Sequence, residues 1–88
     1  MNIRYTRRFI VSLRALQPAE KHAVGRTLEW FVENPTDAGL SNHLLQGAMS
    51  GKRSIAVDGD LRIVFTERGN YAEVTLLDVG GHGAVCRD

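Results

Sequence analysis

The hydrophobic period of this chain changes once, at Asn34-Pro35, and that change restricts the fold more than any other feature. Ahead of it, Phe9, Leu13 and Leu16, then Val24, Leu28, Phe31 and Val32, recur at the spacing of one helix face. Behind it, Ile55 and Val57, then Leu61, Ile63 and Phe65, then Ala72, Val74 and Leu76 alternate with period two, the mark of half-buried strands. Helices followed by strands describe an α+β fold, in which the apolar stripe of each helix is buried on one sheet face.

The punctuation between these segments fits that reading. Asn2 to Tyr5 is a short opening strand, and Thr6 is a candidate N-cap for a first helix running to Leu16. Gln17-Pro18 breaks that helix and starts a second, with Pro18 in the first turn, where its missing N–H costs little. Gly25 weakens the second helix by about 1 kcal/mol relative to Ala, and Trp30 reads as a packing residue beside the stripe. Pro35 to Asn42 is a polar, turn-rich connection. Asp58-Gly59 suits a two-residue hairpin turn with positive φ at both central positions. Arg68-Gly69-Asn70 is a second turn, and Gly80-Gly81 closes the third strand. The expectation is one domain over residues 1–88, an N-terminal helical hairpin packed on a C-terminal antiparallel sheet.

Charge narrows the partners. The formal sum is only +1, yet Arg4, Arg7, Arg8 and Arg14 load the first helix region while Lys52, Arg53, Arg62 and Arg68 load the strands. Two separated basic clusters permit a polyanion-binding face without demanding one. The single cysteine, Cys86, excludes an internal disulfide framework and offers no metal-ligand spacing. The N-terminus lacks the apolar core of a signal peptide. No run nears the roughly 20 apolar residues of a membrane helix, so a cytoplasmic protein with no membrane partner is expected.

Chemistry-bearing residues gather between His43 and His82. His43, ahead of the sheet, is either an ordinary surface side chain or a general base, since imidazole exchanges protons near neutral pH. His82 follows two glycines that permit a sharp bend at a strand end, a place from which working side chains project. Asp60 is a turn former or an orienter of one of these imidazoles. Arg62 alternates against Leu61 and Ile63, so it points away from the apolar side of its strand. With Lys52 and Arg53 it could bind a phosphate, or it could pair structurally with Glu73 or Asp78. His22, on the charged second helix, is assigned to solvent, and Cys86 is incidental. Together the set suits proton transfer beside a phosphate.

The order helix–helix–meander, with G-K-R, then D-L-R-I-V-F, then L-L-D-V-G-G-H-G-A-V, resembles the RelE/ParE toxin superfamily of bacterial type II toxin–antitoxin systems. The opening His43-Leu44-Leu45-Gln46-Gly47 is most similar to its YafQ branch. The resemblance implies a RelE-like fold and a metal-independent endoribonuclease, without cofactor, that cuts mRNA on the ribosome and is restrained by a cognate antitoxin, a small DNA-binding protein. By position it implies His43, Asp60 and His82 as catalytic residues, with Arg62 as the basic residue that recurs in the D/Y-x-R-I/L-x-Y/F strand of the superfamily. Cleavage would proceed by 2′-OH attack to a 2′,3′-cyclic phosphate and a 5′-OH, with Lys52 and Arg53 assisting RNA binding. Arg7, Arg8 and Arg14 are candidates to meet an acidic face of the antitoxin. The chain departs from the pattern where Ala56 replaces a His, Leu61 a Trp, and Cys86 an aromatic residue, which removes one proton-transfer group and stacking surface. The alternative is a non-catalytic ParE-like or degenerate member that acts by binding protein, either gyrase or antitoxin.

Overall fold

Both halves expected from the sequence are present in the computed structural model, which describes residues 1–85. The elements are β1 (Asn2–Tyr5), α1 (Arg7–Arg14), α2 (Pro18–Glu33), β2 (His43–Leu44), β3 (Arg53–Asp58), β4 (Leu61–Arg68), β5 (Glu73–Gly81) and α3 (His82–Val85). They form an α+β fold around one five-stranded sheet in the order β1-β5-β4-β3-β2. Strands β3 to β5 are the expected antiparallel meander, and β2, which was not expected, adds to β3 in antiparallel. The sheet as a whole is mixed, because β1 joins β5 in parallel, with Tyr5 opposite Leu76. A parallel neighbour needs a long crossover, and here the whole stretch from α1 to β4 supplies it.

One side chain fixes the passage from β1 to α1. The Thr6 hydroxyl accepts from the Phe9 N–H at 3.1 Å and donates to the Leu76 carbonyl at 2.9 Å, so it caps the helix and ties it to β5. The helix ends at Arg14, two residues before Leu16. There the Ala15 and Leu16 N–H groups turn back to the Ser12 and Leu13 carbonyls in a tightened last turn. Helix α2 starts at Pro18, and the Gln17 N–H donates to the Glu20 carboxylate at 2.9 Å. Each helix rests mainly on the sheet, α1 along β5 and α2 against β3.

The main core lies on the helix side of the sheet. Phe9, Phe31, Phe65, Leu40, Ile55, Ile63 and Leu76 are fully buried there. Phe31 meets Phe65 edge-on at 5.0 Å and Tyr71 at 6.0 Å between ring centroids, arrangements that add to plain area burial. Val32, expected on the inner stripe, is exposed instead, because the face that meets the sheet is centred on Val24 and Phe31. The connection after α2 is less polar than its composition implies, since a short 3-10 turn at Ala38–Leu40 drives Leu40 into the core.

Trp30 packs as expected, half-exposed, over this connection. A Cβ on Gly39 would stand 2.5 Å from its six-membered ring. Gly39→Ala should therefore lower stability by about 1–3 kcal/mol through overpacking, read as a lower thermal midpoint by circular dichroism. Trp30→Ala in the same chain should recover part of that loss, because the two positions are in contact.

Candidate active site on the open sheet face

Direct partners on neighbouring strands project to the same sheet face. On the face opposite the main core, His43, Ser54, Val64 and Asp78 therefore form one row, and Ala56, Arg62 and Gly80 the next. A smaller apolar cluster of Leu45, Val64 and Val85, joined by Met49 and Leu77, lies against this face. Ser54 is buried beneath this face, while Ala56, Arg62 and Gly80 are partly exposed.

The hairpin between β3 and β4 sets one end of the site. Asp58 stays in the strand opposite Leu61, so the two loop residues are Gly59 and Asp60. Only Gly59 takes a positive φ, 51°, whereas the sequence reading had Asp58-Gly59 as the loop with positive φ at both positions. A single positive φ at the first loop position is the pattern of a II′ turn, and it leaves Asp60 at the second. From there Asp60 meets the end of β5. The His82 N–H donates to the Asp60 carbonyl at 2.9 Å and to its carboxylate at 3.2 Å. His82 is the first residue of α3 and is exposed. Gly80 and Gly81 do not bend the chain as expected, for both belong to β5 and neither has a positive φ. They are small for want of room: a Cβ on Gly81 would stand 3.0 Å from the Asp60 carboxylate, and one on Gly80 3.1 Å from Val85.

Arg62 belongs to the same end. Its Nη1 donates to the Gly59 carbonyl at 2.9 Å and to the Leu61 carbonyl at 3.2 Å. The backbone of the turn thus holds the guanidinium, and neither Glu73 nor Asp78 serves as its partner. Ala56 is the direct partner of Arg62, so an imidazole at that position would have stood beside the guanidinium. Leu61 is buried in the helix-side core, away from the open face.

His43 approaches from the other edge. It lies on β2 and not in the preceding loop, opposite Ser54, about 10 Å and two strand spacings from the line of Arg62. Its Nδ1 is 2.9 Å from the Ser41 carbonyl. A carbonyl only accepts, so Nδ1 is the donor in this contact, and in the neutral ring the lone pair is then on Nε2, the atom a base would use.

The two other basic candidates part company. Lys52 lines a cleft on the open face with Arg8, Met49, Val64, Leu77 and Asp78. Arg53 shares the helix-side face with Ile55 and donates to Asn42 Oδ1 at 3.1 Å. Asn42 in turn donates to the Tyr71 hydroxyl at 2.9 Å. Pleat parity turns Arg53 away from Arg62 and Lys52. Asp78, read only as a possible partner for Arg62, instead accepts from Arg8 and Ser12. Cys86 lies outside the described residues. Among the described residues no group of three or more His, Cys, Asp or Glu is placed to hold a metal ion, and no helix is long and apolar enough to cross a membrane.

No family model matches the chain, and no curated protein does. Solved structures do match. YafQ from E. coli is 18% identical and superposes with a TM-score of 0.80 over 96% of this chain and 96% of its own. The toxin–antitoxin complex RelBE2 from Mycobacterium tuberculosis gives 20% identity and a TM-score of 0.75 over 91% and 95%. A YoeB/ParE toxin from Agrobacterium tumefaciens gives 14% and 0.74 over 93% and 99%. The chain has the RelE/ParE-like toxin fold, and YafQ is among the structures that share it.

Proposed function

We propose that this protein is the toxin of a type II toxin–antitoxin system and a metal-independent endoribonuclease acting on mRNA at the ribosome. The observation that carries the reading is the junction at the end of β4 and β5, where Asp60 holds the His82 backbone and the same turn anchors Arg62. On the same sheet face, His43 lies three strands away from β5 with its Nδ1 turned to the Ser41 carbonyl, and Lys52 lines the cleft. The likeness in fold to toxins supports the same reading.

In this mechanism His43 Nε2 takes the proton of a ribose 2′-OH, and the oxygen attacks the adjacent phosphorus. Arg62 uses Nη1 on the turn, so its other N–H donors serve the phosphate oxygens as charge builds. His82 gives a proton to the departing 5′-oxygen, leaving a 2′,3′-cyclic phosphate and a 5′-OH. Asp60 is a positioning residue, since its contact is with the His82 backbone.

A cognate antitoxin is the proposed protein partner, as in the solved DinJ–YafQ complex. Arg7, Val11 and Arg14 follow one another at i, i+4 and i+7 and so share a face of α1. Val11 is exposed there and Tyr5 is exposed just ahead of the helix. This apolar strip edged with cations fits an acidic amphipathic helix.

Induced expression is expected to arrest growth and to leave transcripts shortened within their reading frames, with co-expression of a cognate antitoxin restoring growth. Normal growth and intact transcripts from soluble, folded protein would contradict the reading and favour a protein-binding role.

A further inference from the structure

Asp78 owes its position to a β-bulge. Val64 pairs with Asp78 and Phe65 with Leu76, so Leu77 is an extra residue in β5, and it lines the open-face cleft together with Asp78. The carboxylate is fully engaged: Oδ1 accepts from Ser12 Oγ at 2.6 Å and from the Val79 N–H at 2.9 Å, and Oδ2 accepts from Arg8 Nε at 3.0 Å. It is 14% exposed, whereas the Arg8 side chain it holds is 74% exposed. The bond uses Nε alone, which leaves the two terminal nitrogens of Arg8 to meet something else.

Arg8 also sits where a helix resists it. Arg7 and Arg8 occupy the first turn of α1, which holds no acid, and the positive end of the helix dipole disfavours each cation by about 0.3–1 kcal/mol. Arg8 meets that cost through its ion pair with Asp78. The cleft it borders encloses about 320 Å³, with Lys52 across from it and Val64, Leu77 and Met49 among its apolar lining.

We propose that Arg8, held in place by Asp78 and Ser12, forms with Lys52 a second phosphate site for the RNA strand, with an adjoining base resting on Met49 and Leu77. The inference rests on the RNA reading above and assigns a role to Arg8, Asp78, Met49 and Leu77, which that reading leaves unused. A guanidinium fork suits two phosphate oxygens, and an apolar floor accepts any base face. Gly81 lies three residue steps along β5 from Asp78, about 10 Å, close enough for one strand to reach both this site and His82.

The test is binding of a short, fully 2′-O-methylated RNA, which cannot be cut, followed by fluorescence anisotropy across a salt series. Arg8→Ala should weaken binding about ten-fold, as expected for loss of a charged hydrogen-bonding group, and should reduce the slope of log affinity against log salt by about 0.7. Asp78→Asn is the sharper arm. It removes a negative charge from the cleft, so unspecific electrostatics predicts tighter binding, whereas loss of Arg8 positioning predicts weaker binding. Arg26→Ala, an equal charge change on α2, should leave the slope unchanged. Circular dichroism confirms that each variant is folded. An unchanged slope in Arg8→Ala, or unchanged or tighter binding in Asp78→Asn, overturns the proposal. So does a wild-type protein that binds polyglutamate in preference to the RNA, which would make the cleft a protein interface. Binding is read without cleavage, so the two readings fail separately. Loss of binding in Arg8→Ala from a protein that never cuts upholds this site and rejects the nuclease. Cleavage with Arg8-independent binding does the reverse.

Discussion

His82→Ala is expected to slow single-turnover cleavage on programmed ribosomes by about 10²–10⁴-fold, the usual contribution of a positioned general acid. Alanine keeps the backbone N–H that bonds Asp60, so the fold at the β5 end survives and the loss reports on the imidazole. Arg62→Ala should impair the same step, because the charge it removes acts mainly on the transition state. Arg62→Lys should restore only part of the rate, since an ammonium cannot reach the turn and the phosphate as one planar group. His22→Ala, exposed on α2, should change nothing. Full activity in both His82→Ala and Arg62→Ala would remove this site and leave a protein-binding function in its place.

The largest effect on stability is expected at Phe31. Its side chain is fully buried and touches the rings of both Phe65 and Tyr71. Phe31→Ala removes those contacts and leaves a void where α2 meets the sheet, costing about 3–5 kcal/mol. Total stabilities of about 5–15 kcal/mol are usual for domains, so most of the margin is at risk. At about 4–8 °C per kcal/mol for a domain of this size, the midpoint should fall by at least about 12 °C. A fall of only a few degrees would show that α2 contributes little to the cooperative unit.

The parts of the fold that local chemistry determines were legible in the sequence. Thr6 as a cap, Pro18 at the start of α2 and the alternation of β4 each depend on neighbours a few residues away. What escaped depends on distant pairing. The parallel union of β1 with β5 joins residues some seventy positions apart. Strand β2 has two residues, too short for any period to register, so His43 read as a loop residue. The bulge at Leu77 shifts parity within β5, and without it Asp78 could not be placed beside Arg8. The approach of Asp60 to His82 could be sensed from one residue in a turn and another beyond a strand end, but only the β4–β5 register, with Leu61 opposite Gly81, fixes it.

The most direct measurement of the central claim is the chemistry of the ends left on a defined mRNA after incubation with purified protein and programmed ribosomes, with chelator present. The account predicts fragments that carry a 2′,3′-cyclic phosphate upstream and a 5′-OH downstream, formed by the wild-type protein and strongly reduced with His82→Ala. Uncut mRNA, or fragments with 5′-phosphate ends, would contradict it.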